Sequence, residues 1–306
     1  NCNVSDLTQL DYLYLNENTI SNLNISNCTN LSQIYINSSD LSSITFFSNN
    51  ALTYLSILDN SGFGSNSITD LDLTTNAPNL TSLDLSYTVE NLNISNHQNL
   101  SYLNFYYDSY IKNFTASNVV NLNFIDGIIG DWETINLNST PISDAGFIGP
   151  SSSSTMGSLD LSGTSITNLN LIDGCQIELN NCEYLTSVNL DGPYLNSFSN
   201  SNSLTYFKSV NGGVNSGGSE GMSNAALDGV MASNNLLSFT YHGSVEHSYE
   251  LNISGNITRA DIDFISSYLS FVNLTNASSL RYGKFNNVGI LTSEYSNLSN
   301  LDSLII

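Results

Sequence analysis

Residues 80–86 read Leu80-Thr81-Ser82-Leu83-Asp84-Leu85-Ser86, with apolar side chains at the first, fourth and sixth places. The same spacing returns on either side, at Leu10/Leu13/Leu15, Leu31/Ile34/Ile36, Leu52/Leu55/Ile57 and Leu100/Leu103/Phe105. A second copy falls between the first ones: Ile20/Leu23/Ile25, Leu41/Ile44/Phe46, Ile68/Leu71/Leu73 and Val89/Leu92/Ile94. First copies recur about every 21 residues, except where Gly62-Phe63-Gly64-Ser65-Asn66 lengthens one unit. A fixed period of this length marks a repeat architecture.

Each copy ends in period-two alternation, the pattern of a strand with one buried face. Between copies stand Asn, Ser, Thr and Asp, which close turns by bonding nearby backbone. About ten residues per copy leave no room for a helix beside a strand and two turns. The expected fold is therefore an all-β parallel solenoid, with about 21 residues and two short strands per coil. Asn also recurs four residues before the leading apolar position, at Asn27, Asn76, Asn96, Asn118, Asn181, Asn200 and Asn276, with Asp6 in the same place. That register predicts a ladder of stacked amides bonding turn backbones.

Segments such as Leu80 to Ser86 and Ile166-Thr167-Asn168-Leu169-Asn170-Leu171 resemble leucine-rich repeats. They are most similar to the short, helix-free, internalin-like repeats of bacterial and archaeal cell-surface proteins. The resemblance covers most of residues 7–304, and it implies a solenoid used for binding or surface display. The chain departs from such repeats in its scarcity of Lys and Arg and in having no obvious cap modules. Residues 1–306 are expected to form a single solenoid with loop insertions near 141–158 and 211–235, the second holding one turn of helix at Ala225-Ala226-Leu227.

Composition narrows the function. Five Lys and Arg against 27 Asp and Glu give a net charge of -22. So few cations cannot neutralise a phosphate backbone, which excludes nucleic acid as a partner. No run approaches the length of an apolar membrane span, so no membrane insertion is expected. Asn, at 47, outnumbers Leu, at 40, and Ser and Thr add 73 more. Such a polar, Lys-poor chain, opening at Asn1 without Met, fits an exported protein at the cell surface whose signal peptide has been removed. Fifteen Asn-x-Ser/Thr sites, Asn24, Asn79, Asn93, Asn252 and Asn273 among them, decide nothing, because this composition produces about eleven by chance.

An oxidising compartment favours disulfides among the four cysteines. Cys2 with Cys28 would clamp the first coil, and Cys175 with Cys182 would staple one turn; buried free thiols are the alternative. Neither pair has the spacing of a zinc site.

Catalytic patterns are lacking. His97, His242 and His247 read as exposed turn residues. Asp72 and Asp84 are read as pointing outward from neighbouring strands, with Asp261 and Asp263 alternating on another. Outward acids in a repeat serve solubility, so no catalytic residue, metal site or cofactor is expected. A divalent cation such as calcium could only sit at these carboxylates.

What recurs on the outer face is tyrosine: Tyr12, Tyr54, Tyr102, Tyr206 and Tyr282 two places after a leading apolar residue, and Tyr14 and Tyr35 at the next outward place. Stacking coils would align neighbours into a stripe suited to sugars or a protein partner. The chain stops at Leu301-Asp302-Ser303-Leu304-Ile305-Ile306, so Leu301, Leu304, Ile305 and Ile306 are expected subunit contacts. The leading expectation is a non-enzymatic structural protein, joined end to end with copies of itself in a cell-surface layer, sheath or filament. A monomeric adhesin binding glycan or another surface protein through the tyrosine face is the second, and a carbohydrate-active enzyme a remote third.

Overall fold

The structure is a computed structural model and describes residues 1–38, 41–58, 68–86, 89–109, 111–149, 157–172, 174–210, 221–244, 249–253, 255–265, 270–291 and 298–306. The chain divides into two compact units, residues 1–155 and 156–306, and the division falls within the first expected insertion. Both units are parallel β-solenoids, as the alternation predicts, with every strand paired in parallel to the equivalent strand one coil away.

In the first unit the strands are β1 (Cys2–Asn3), β2 (Tyr12–Asn18), β3 (Asn22–Asn24), β4 (Gln33–Ser38), β5 (Ser43–Thr45), β6 (Tyr54–Leu58) and β7 (Ile68–Asp72). They continue with β8 (Ser82–Ser86), β9 (Val89–Asn93), β10 (Tyr102–Ser109), β11 (Asn113–Thr115), β12 (Ile125–Ile129) and β13 (Thr134–Asn136). The leading copies β2, β4, β6, β8, β10 and β12 make one sheet in that order. The intervening copies make the facing ladders β1-β3-β5 and β7-β9-β11-β13. Leu13, Ile34, Leu55, Leu83 and Leu103 pair one above another in a single buried column that Ile125 extends. Each such side chain contributes roughly 1.5–3 kcal/mol by leaving water.

The turns explain the asparagines better than an amide ladder does. Asp6, Asn27, Asn96, Asn118, Asn181 and Asn200 all have positive φ, between 53° and 63°. The left-handed region penalises most L residues, and Asn and Asp enter it most easily. The register is thus chosen by backbone conformation, and amide stacking is secondary: Asn27 Nδ2 donates to Asp6 Oδ1 at 2.8 Å, and Asn200 to Asn181 at 3.0 Å. Asn76 and Asn276 are outside the positive-φ set. A longer amide ladder runs along the second strands, from Asn113 to Asn91 (2.7 Å) and from Asn91 to Asp70 (2.8 Å). The last outward residue of these strands closes an Asx turn, as when Asn24, Asp72, Asn93 and Asn136 accept the N–H two residues on.

After four of the left-handed positions, Asn27, Ser48, Ser139 and Asn181, the next residue turns inward and satisfies a carbonyl of the coil before. Cys28 Sγ donates to Val4 O at 3.0 Å, Asn49 Nδ2 to Ile25 O at 2.8 Å, Thr140 Oγ1 to Ala116 O, and Cys182 Sγ to Leu161 O at 3.4 Å. The expectation of disulfides is therefore corrected. All four cysteines are free thiols, and Cys28 and Cys182 occupy the polar inward place that Asn and Thr fill in other coils. Cys2 stands instead beside Leu23. Cys175 opens an extended strand that carries the chain about 17 Å to Asn180 before the turn into Cys182, which puts the two far beyond disulfide reach. Burial pushes the Cys28 and Cys182 thiols above the usual thiol range. Titration of the unfolded, unreduced protein should find four thiols, and the folded protein should react slowly at Cys28 and Cys182. Fewer than four would restore a disulfide.

His97 is likewise not an exposed turn residue. It is buried in the same inward column, with its ring nitrogens 3.0 and 3.1 Å from the carbonyls of Ile94 and Ala77. Residues 141–149, expected to bulge as a loop, bury Ile142 and Phe147 and bridge Ile148 to Ile129. The buried Trp132 fastens this stretch by donating Nε1–H to Gly149 O at 2.8 Å. Residues 150–156 lie outside the described residues.

In the second unit the elements are β14 (Gly157–Asp160), β15 (Asn168–Leu171), β16 (Cys175–Asn180), β17 (Ser187–Asp191), β18 (Tyr194–Ser199), β19 (Tyr206–Val210) and α1 (Asn224–Met231). There follow β20 (Ser238–Gly243), β21 (Glu250–Asn252), β22 (Arg259–Phe264), β23 (Phe271–Asn273), β24 (Tyr282–Asn286), β25 (Gly289–Leu291) and β26 (Ser303–Ile305). The main sheet runs β15-β17-β19-β20-β22-β24-β26, facing β14-β16-β18 and β21-β23-β25. The turn of helix expected at Ala225-Ala226-Leu227 is the eight-residue α1, inside the expected insertion. Ser223 caps α1 by accepting the Ala226 N–H at 3.0 Å, and the helix lies so close on β18 that a Cβ on Gly229 would stand 1.8 Å from Phe198 O. Of the expected 211–235 insertion, residues 211–220 lie outside the described residues.

Candidate functional site: an in-register tyrosine face

The leading sheet of the first unit buries one face, so its other side chains stand outward in columns. One column runs Tyr12, Gln33, Tyr54, Ser82, Tyr102; the next runs Tyr14, Tyr35, Ser56, Asp84, Asn104, Asp126. Parallel pairing without offset brings the rings together. Tyr14 and Tyr35 stack with centroids 4.6 Å apart and planes 4° from parallel, and Tyr54 follows Tyr35 at 4.8 Å and 34°. The Tyr14–Tyr35 separation is the strand spacing itself, so the sheet imposes that stack, whereas Tyr54 pairs with Gln33 in the other column and meets Tyr35 through its side chain. Tyr12, Tyr14 and Tyr102 are exposed at 51%, 59% and 43%, and Tyr106, which the sequence reading missed, is also exposed.

Between the rings lies a polar slot. Ser56, Asp84 and Asn104 point outward by register yet are only 4–6% exposed. Tyr54 donates its hydroxyl to Asp84 Oδ2, while Asp84 Oδ1 has no hydrogen-bond partner among the described residues. Tyr35 donates to Gln33 Oε1 at 3.1 Å. Burial, and then the Asp84 carboxylate, hold the Tyr54 hydroxyl well above the usual phenol range and raise Tyr102; burial and the neighbouring Tyr14 raise Tyr35. The phenols stay protonated and can donate. Lys112 is the one Lys or Arg of residues 1–155, and it is engaged with Glu90 at 2.5 Å. The face therefore offers flat apolar rings, phenol donors and acidic acceptors, with no basic group.

Asp72 and Asp84, read as pointing outward from neighbouring strands, lie on β7 and β8, which belong to different sheets on opposite sides of a coil. Tyr206 and Tyr282 lie on β19 and β24 of the second unit, where Arg259 places its guanidinium 4.0 Å from the Tyr282 ring centroid. Leu304 and Ile305 lie on β26, the edge strand beyond β24, and are exposed with Ile306, while Leu301 is half-buried. Among the described residues no group of three or more His, Cys, Asp or Glu could hold a metal ion, and no helix is long and apolar enough to cross a membrane. His247 lies outside the described residues.

No protein-family model matches the chain, and no curated protein matches it. The site must be read from its own chemistry.

Proposed function

We propose that the chain is a non-enzymatic recognition module that holds a neutral, extended glycan against the tyrosine face of residues 1–155. One observation carries this reading: the unbroken row Tyr14–Tyr35–Tyr54, stacked at 4.6 and 4.8 Å. A protein that repeats the same ring coil after coil is complementary to a polymer that repeats the same sugar. Aromatic rings pack against the apolar faces of sugar rings, and the exposed phenol hydroxyls of Tyr12, Tyr14 and Tyr102 answer hydroxyl groups beside them. The absence of a free cation on the face disfavours an acidic glycan there. A structural layer needs only the buried columns and paired edges, and it gives no role to a stacked outer row. On this reading the solenoid is displayed at the cell surface, in the manner of the leucine-rich repeats it resembles.

The test is titration of the monomer with linear neutral hexasaccharides. Tyr14→Ala with Tyr35→Ala should weaken binding at least tenfold, and the thermal midpoint should hardly move because both rings lie outside the core. If the intact protein binds no neutral glycan, the reading fails. If the same substitutions abolish concentration-dependent assembly instead, the face belongs to a second copy.

A further inference from the structure

We propose that the outer face of β19, β20, β22 and β24 is a second, independent site, which takes a carboxylate-bearing sugar chain. Four of the chain's five basic residues, Lys208, Arg259, Arg281 and Lys284, lie in residues 156–306, and three of them stand on this one sheet face. The pairing arranges the face in columns. Tyr206, Ser238, Arg259 and Tyr282 form one, and Lys208, Thr240, Asp261 and Lys284 the next. A third holds His242, Asp263 and Asn286.

The acids of this face are already engaged. Asp261 Oδ1 lies 2.9 Å from His242 Nε2 and 3.5 Å from Lys284 Nζ. Asp263 accepts from Asn287 at 2.7 Å and from Asn286 at 3.4 Å. Among the described residues, neither Arg259 nor Lys208 has a carboxylate within 4.0 Å. On these four strands Lys208, Arg259 and Lys284 stand against Asp261 and Asp263, with Asp191 at the far corner on neighbouring β17, a concentration of cations in a chain whose net charge is -22.

The geometry points to a sugar rather than to a bare ion. The guanidinium of Arg259 rests over the Tyr282 ring at 4.0 Å, which fixes the orientation of this planar group and leaves its N–H edge open to a bidentate carboxylate. Tyr206 is exposed at the other end of the same column, three strands away, or about 14 Å at the usual strand spacing. The exposed ring of Tyr206 at one end, the Arg259 cation at the other and the hydroxyls of Ser238 and Thr240 beside them suit a hydroxyl-rich, acidic ligand several residues long. The proposal does not rest on the neutral-glycan reading, because it uses no residue of the first unit.

The experiment measures binding of a linear uronate hexamer to the intact protein at low salt. A neutral hexamer of the same linkage and a hexaglutamate peptide are run beside it. The uronate should bind at least tenfold tighter than either, and more weakly as salt rises. Arg259→Gln should cost at least tenfold, Lys208→Gln a few-fold, and Tyr14→Ala with Tyr35→Ala nothing. An unchanged far-ultraviolet spectrum for Arg259→Gln shows that the ladder is intact. Equal affinity for the neutral hexamer, or full uronate binding by folded Arg259→Gln, overturns the site. Equal affinity for hexaglutamate overturns the sugar and assigns the face to an acidic peptide.

Discussion

Leu83→Asn should lower the stability of residues 1–155 by about 3–5 kcal/mol, the sum of lost apolar transfer and an amide buried without partners. Leu83 is fully buried, with Leu55 on one side and Leu103 on the other in the ladder, and all three belong to the apolar column. An Asn there meets no polar side chain above or below it. The strand cannot escape by sliding, because a one-residue slip would turn every inward side chain of β8 to the outer face. Urea denaturation followed by circular dichroism reads the effect directly, with Leu83→Met as the control, expected to cost less than about 1.5 kcal/mol. A loss below about 1 kcal/mol for Asn would mean that the column does not close around this side chain. The expected spectrum of the intact protein is that of a strand-rich chain.

Gly127→Ala should be nearly as damaging. Gly127 sits in β12 at φ +87°, paired with Phe105 of β10, and a Cβ placed on it would lie 1.8 Å from the Phe105 carbonyl oxygen and 2.7 Å from its carbon. The obstacle is backbone, so no rotamer change relieves it. The ladder must shift, and the positive φ adds its own penalty of roughly 1–2 kcal/mol. Together these should cost about 2–5 kcal/mol. Gly130→Ala, three residues on, meets nothing within 4 Å and should change stability by less than about 0.5 kcal/mol. Equal melting of the two variants would show that β12 does not pair with β10 in this register.

Much of the candidate site was visible in advance because register in a parallel stack is a matter of counting. A period near 21 that puts Tyr14 and Tyr35 at one outward place also puts their rings one strand spacing apart. Asp84 was visible as an outward acid but not as a buried one. Its burial and its bond to Tyr54 depend on side-chain packing across coils, which spacing does not encode. The pairing of Arg259 with Tyr282 was missed for a similar reason: the two residues lie 23 positions apart, and coil length there varies. Cysteine misled the sequence reading. An even count and an inferred compartment argued for bridges, whereas Cys28 and Cys182 serve the same inward hydrogen-bonding place as Asn49 and Thr140.

By itself, the sequence determined the coil length, the parallel pairing and the buried apolar column. These follow from local alternation and turn chemistry, which each repeat carries whole. It also marked the left-handed turn residues, since few residues other than Asn, Asp and Gly tolerate that conformation. Only the tertiary structure decided which polar residues are buried, which thiols stay free, where α1 replaces a strand, and which cations are left without an acid. Each of those depends on what the next coil places opposite a side chain, and that contact exists only once the coils have stacked.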